Sequence, residues 1–166
     1  KTLLETETTT GFDLNYRSKL WSEATAASAY DDLLPAVDVL FAPERDARSI
    51  LGVDGDAASI ADTLRTRYDC ETVVVTRGSE GATASTDART VDQPAFETET
   101  FDPIGTGDAF VGAFLRQYVG DASIDRALEY GAAAAALKRT IAGDVAVITE
   151  AEVEAVIDQS HGGISR

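Results

Sequence analysis

Short apolar and β-branched runs alternate along the chain with longer stretches whose apolar positions recur every three or four residues. That pattern predicts strands separated by helices. Gly11 to Leu14 reads as a short strand ending in the polar stretch Asn15-Tyr16-Arg17. Ser22 to Leu34 reads as a helix, with Ser22 as N-cap and Pro35 as terminator. Val37 to Ala42 is an apolar strand of the kind a sheet buried on both faces requires. Pro43 opens a short helix to Leu51 that Gly52 closes, and Asp56 caps another running to Arg67. Glu71 to Thr76 is the strongest strand, because valine and threonine fill it. The turn Gly78-Ser79-Glu80-Gly81 follows, and Ala82 to Ser85 is expected to return antiparallel. Helices are expected over Gly105–Val119, Ile124–Ile141 and Glu150–Ile157, with the tail of another at Thr2–Glu7 and a polar tail from Ser160 to Arg166. Strands alternating with helices predict an α/β fold: a three-layer sandwich with a mostly parallel sheet flanked by helices.

Composition narrows the partners. The 166 residues carry 29 Asp and Glu against 14 Lys and Arg, a net charge of -15. Such a field repels nucleic-acid phosphates and anionic lipid, and there is no run of twenty apolar residues to span a membrane. Only Lys1, Lys19 and Lys138 are lysines, and acid excess with few lysines points to a surface adapted to high salt. The single cysteine, Cys70, excludes an internal disulfide and fits a reducing, cytoplasmic compartment. It sits in an apolar-flanked run and is expected to be a buried structural thiol. The chain has no methionine and opens on Lys1, so it is expected to be a fragment.

Candidate chemistry concentrates in Asp102-Pro103-Ile104-Gly105-Thr106-Gly107-Asp108. Two glycines let the backbone turn tightly and present N–H groups where a helix begins, which favours an anion. A carboxylate beside a phosphate is repulsive unless it handles a proton or a cation. Asp108 is therefore placed as base for an attacking hydroxyl in phosphoryl transfer. An ordinary capped helix, its glycines only shaping the loop, accounts for the same residues equally well.

The stretch Asp102 to Phe114 (DPIGTGDAFVGAF) resembles the C-terminal signature of the ribokinase-like, or phosphofructokinase-B, carbohydrate kinases. Asp13-Leu14-Asn15-Tyr16-Arg17, continuing through Leu20-Trp21, is similar to a segment of the 2-keto-3-deoxygluconate kinase branch. Thr76-Arg77-Gly78-Ser79-Glu80-Gly81 and Gly143-Asp144 follow in the family's order. The resemblance implies ATP-dependent phosphorylation of a sugar acid, 2-keto-3-deoxygluconate or 2-keto-3-deoxygalactonate, with Mg²⁺ on the phosphates. It gives Asp108, Gly105 and Gly107 the catalytic roles. It places Asn15, Tyr16, Arg17, Thr76, Gly78, Ser79, Gly81 and Thr106, with Gly105 and Gly107, at ATP. Arg17, Asp108 and Asp144 would meet the sugar acid. Asp102, with the Ile104 carbonyl, would support a monovalent cation. The metal ligands stay unassigned, because the family's NxxE element corresponds here to Pro43-Glu44-Arg45-Asp46, with both consensus positions changed.

The likeness covers only the C-terminal half of such a kinase. The N-terminal half, with its lid, becomes the expected partner, docking on an apolar seam through which the chain is also expected to form homo-oligomers. Ribose, fructose or adenosine kinases and a non-catalytic nucleotide-binding module remain the alternatives. His161, Trp21, Phe12 and the acidic Glu150–Glu154 stretch are expected to be solvent-facing or structural.

Overall fold

A computed structural model of the protein describes residues 8–162. The expected helix tail at Thr2–Glu7 and the last residues of the polar tail lie outside them. The chain forms two compact units, residues 1–77 with 83–92, and residues 78–82 with 93–166.

The first unit is built on a sheet of five strands in sequential order, β1 (Gly11–Asp13), β2 (Val39–Pro43), β3 (Thr72–Thr76), β4 (Ala82–Thr86) and β5 (Thr90–Gln93). β1, β2 and β3 run parallel, with Phe12 opposite Leu40 and Leu40 opposite Val73. The connections that parallel pairing demands are helical: α1 (Glu23–Leu33) between β1 and β2, then α2 (Glu44–Ser49) and α3 (Ala57–Tyr68) between β2 and β3. One face of the strands, Leu40, Val73 and Val75, packs in a cluster with Ala26 and Tyr30 of α1 and with Ile60, Ala61 and Leu64 of α3. The alternate residues Val39, Phe41 and Val74 are just as buried, so the central strands are apolar on both faces, which explains their unbroken hydrophobic runs.

Both expected caps are in place. Ser22 accepts a hydrogen bond from the Thr25 amide at 3.2 Å, and Asp56 accepts one from Ser59 at 2.8 Å. Phe12 and Trp21 pack edge-on against Tyr30, in the structural role expected of them. Cys70 is buried, and desolvation, aided by the carboxylates of Asp38 and Asp69, pushes its thiol up to about 11. It is inert at neutral pH.

The second unit contains three helices, α4 (Thr106–Tyr118), α5 (Ile124–Arg139) and α6 (Glu150–Gly162). Helix α5 packs against both of the others. Its Gly131 allows the close approach: a Cβ there would lie 3.1 Å from the Phe110 ring of α4. Tyr130, Ala133 and Ala134 meet Val153 and Ile157 of α6, and Arg126 bonds Glu129 at 3.0 Å and also Glu154. Among the described residues no helix is long and apolar enough to cross a membrane.

Two elements depart from expectation. Strand β5 was not foreseen: its residues alternate between exposed and half-buried, so no apolar run marks it. Helix α6 continues past Ile157 into the residues read as polar tail, with Ser160 hydroxyl bonded to the Ile157 carbonyl at 2.8 Å. His161, on that last turn, is mostly exposed but lies 2.9 Å from Glu129, a contact that sequence separation conceals.

Candidate active site

The glycine-rich segment enters α4 through Gly105, which is the N-cap with φ 78° and ψ 4°, left-handed backbone that favours glycine. A Cβ at Gly105 would also run into the Asp144 carbonyl oxygen, so the loop at 105 and the loop at 144 touch through backbone. No side chain caps this helix. Its first-turn amides are the groups that an uncapped helix leaves for a ligand. Thr106 turns inward, its hydroxyl donating to the Pro103 carbonyl at 2.7 Å, whereas a Cβ at Gly107 would meet open space.

Asp102 staples the arrangement. Its carboxylate accepts from the Ile104 amide at 3.0 Å and from the Gly143 amide at 2.9 Å. Those two bonds, with a smaller contribution from the Lys138 charge, hold its carboxyl below the usual carboxylate range. The Phe101 and Asp102 amides both donate to the Arg139 carbonyl, at 2.8 and 3.0 Å, fastening the segment to the end of α5.

A cavity of about 450 Å³ opens at this point, and Gly105, Asp108 and Asp144 all line it. Residues 36 positions apart in sequence therefore meet at one concavity. Asp108 is exposed in the first turn of α4, beside the anion-favouring amides. Arg116, two turns along the same helix, lines the cavity too and lies 3.8 Å from Glu150. Sequence reasoning missed it, since an arginine in an exposed last turn reads as dipole compensation. The i to i+8 spacing from Asp108 is the signal that could have found it.

The remaining candidates divide by unit. In the first unit, Asn15 and Arg17 line a cavity of about 620 Å³ with Trp21 and Tyr30. Asn15 has φ 36°, a left-handed turn that asparagine tolerates. Tyr16 spends its hydroxyl on the Trp21 carbonyl at 3.0 Å, which fixes the loop. Arg17 is exposed and forms no ion pair among the described residues. Thr76 is the half-buried last residue of β3. Gly78 and Ser79 lie in a 3₁₀ turn (Gly78–Glu80) after it, closed by the Gly81 amide on the Gly78 carbonyl at 3.3 Å. A side chain at Gly81 would collide with the backbone of Gln93 to Ala95, so this glycine is required by close approach.

The segment Pro43 to Asp46 has internal partners: Asp46 is buried against Arg45 at 2.8 Å, and Glu44 bonds Arg48 at 2.6 Å. Among the described residues no group of three or more His, Cys, Asp or Glu side chains is gathered to hold a metal ion.

The chain is 55% identical over its whole length to the 2-dehydro-3-deoxygalactonokinase of Haloferax volcanii and spans 52% of that protein. It is 33% identical over 108 residues to an ATP-dependent ribose-1-phosphate kinase of Halopiger xanaduensis, covering 65% of this chain and 34% of that one. The 2-dehydro-3-deoxygluconokinase of Thermotoga maritima superposes with a TM-score of 0.84 at 28% identity, over 91% of this chain and 50% of the other. The chain thus spans about half the length, or less, of the curated relatives it matches, and it has the α/β fold of the ribokinase-like kinases. The profile described as pfkB family carbohydrate kinase matches residues 1–151, and the chain belongs to that family.

Proposed function

We propose that the kinase carrying this chain transfers the γ-phosphoryl group of ATP to a terminal hydroxyl of a 2-keto-3-deoxy sugar acid, galactonate first and gluconate second. The observation that carries the reading is the cavity shared by Gly105, Asp108 and Asp144, at a helix start that no side chain caps. The 55% identity to a 2-dehydro-3-deoxygalactonokinase supports the choice of substrate.

In this reading Asp108 takes the proton of the substrate hydroxyl as its oxygen bonds to the γ-phosphorus. The bond from that phosphorus to the bridging oxygen breaks, and ADP leaves with the electron pair. The amides at Gly105–Gly107 face the charge that develops on the transferring group. Mg²⁺ fits a site of this composition as a passenger on the nucleotide, because it is ordinarily held by substrate phosphates with few protein ligands. When bound, it neutralises the β- and γ-phosphates. Asp144 would bond a sugar hydroxyl from the same cavity. Arg17, exposed and with no ion pair among the described residues, would grip the sugar-acid carboxylate with two donors. Asn15, Tyr16, Thr76, Gly78, Ser79, Gly81 and Thr106 would frame ATP. The Haloferax likeness and the charge of -15 support a cytoplasm of high salt as its setting.

The test is a substrate panel on the full-length kinase, followed by Asp108→Asn. Sugar acids should be phosphorylated in preference to ribose, fructose, adenosine or ribose 1-phosphate. The variant should lose roughly two or more orders of magnitude in kcat with nucleotide affinity nearly unchanged. Activity confined to a neutral sugar would overturn the substrate assignment. Nucleotide binding without any transfer would reduce the protein to a binding module.

A further inference from the structure

Lysine is rare in this chain, and Lys138 is the one lysine in an alanine-rich helical run. Next to Arg139 at the end of α5 it reads as a surface charge facing the helix dipole. Instead it is fully buried, among the largest completely enclosed side chains of the molecule. A buried ammonium is expensive unless it is paired and hydrogen-bonded, and an aliphatic side chain would fill the same space without that penalty. The charge therefore needs a reason.

Its surroundings supply one. The Lys138 ammonium donates to the Ile141 carbonyl at 2.9 Å. Its stem passes beneath the N-cap of α4: a Cβ built on Gly105 would lie 3.3 Å from Lys138 Cε. The Asp102 carboxylate, bonded to Ile104 and Gly143, lies within its electrostatic reach. Three pieces of chain converge on this one charge: residues 101–105, the end of α5, and residues 141–144. The first and third are those that Asp102 joins and that touch at Gly105 and Asp144.

We propose that Lys138 is a tethered cation that holds the 102–105 and 141–144 loops in register, and is thereby a positioning residue for phosphoryl transfer at the α4 N-terminus. Lys138 is not among the residues lining the cavity, and its stem lies against Gly105, so its charge would favour an anion at the α4 N-terminus without touching it. A covalently attached ammonium is always present. The site therefore needs no dissolved monovalent cation to shape its loop. The role in transfer rests on the kinase reading above, whereas the hold on the loops does not.

Two variants of the full-length kinase test this, Lys138→Met, which keeps length without charge, and Lys138→Ala, which leaves room for a small cation. The Met variant should lose about 10- to 100-fold in kcat, the scale expected from a displacement of about 1 Å, while the sugar-acid KM changes little. Ammonium chloride, against choline chloride at equal ionic strength, should restore part of the rate to the Ala variant and leave the parent unaffected. Hydrogen exchange at the Ile104 and Gly143 amides should quicken roughly tenfold in both variants with core amides unchanged, since only a local opening is released. Unchanged exchange at those two amides overturns the proposal. So does a variant whose KM and core exchange deteriorate together with kcat, because Lys138 would then be only a packing residue. A parent without kinase activity refutes the functional reading, and the exchange comparison then decides the loop role alone.

Discussion

The two compact units are held by different means. In the first, parallel strands of valine, leucine and phenylalanine are covered by helices, and stability resides in apolar side chains buried between them. In the second, the buried core beside α6 is formed, among the described residues, by Tyr130, Ala133, Ala134, Val153 and Ile157, with Phe110, Phe114 and Leu128 buried along α4 and α5. Its functional loops are fixed by single polar ties: Asp102 to two amides, Arg139 carbonyl to two more, Lys138 to Ile141. Apolar burial is forgiving in direction, but a hydrogen-bonded charge sets position closely. A carboxylate that must meet a hydroxyl is better placed by the second means.

The sharpest break of this contrast is Leu64→Ala in the first unit. Leu64 is fully buried in the strand and helix cluster, so the loss should be about 2–5 kcal/mol in denaturant unfolding. A loss below about 1 kcal/mol would mean that this core relaxes around cavities more readily than a packed sheet should. Next in size is Gly105→Ala in the second unit. Left-handed backbone alone costs an alanine about 1–2 kcal/mol, and the Asp144 carbonyl stands in the way of the new methyl. Exchange at Gly143 should quicken and kinase activity should fall more than global stability does. Loss of both in proportion would erase the distinction between the units.

A KCl series acts on the whole chain. Charges of -15 repel, and the screening length falls from about 8 Å at physiological strength to about 3 Å at 1 M. The melting temperature should climb steadily beyond physiological salt, and a flat or falling curve would refute adaptation to high salt. The smallest effect concerns acid. Asp102 is held below the ordinary carboxylate range, so its contribution is complete above the unfolded pKa of about 3.9 and is lost as pH falls through the lower folded value. Asp102→Asn should remove that acid-dependent part, flattening the exchange of Ile104 and Gly143 between pH 5 and pH 2. A profile identical to the parent's would locate the acid sensitivity elsewhere.

Sequence carried much of this. The caps at Ser22 and Asp56, the buried Cys70, and the runs at β2 and β3 are local, and local chemistry shows in a string of letters. The meeting of Gly105 with Asp144 was legible only through resemblance to a family, since nothing local links a helix start to a loop 39 residues later. Lys138 was not legible at all. A lysine beside an arginine at a helix end looks the same in sequence whether it faces water or backbone carbonyls, and only the fold distinguishes the two. Asp46 is hidden in the same way, since nothing in its sequence neighbourhood shows that its carboxylate is enclosed beside Arg45.

Trp21 has a practical value apart from its packing. It is the only indole in the chain, it stands edge-on to Tyr30 with ring centres 5.5 Å apart, and it lines the same hollow as Arg17. Tryptophan fluorescence from this chain thus comes from one address, with Tyr30 close enough to pass excitation to it. A titration of the proposed sugar acid followed at the red edge of excitation would show whether it enters that hollow, without a label and without touching Asp108.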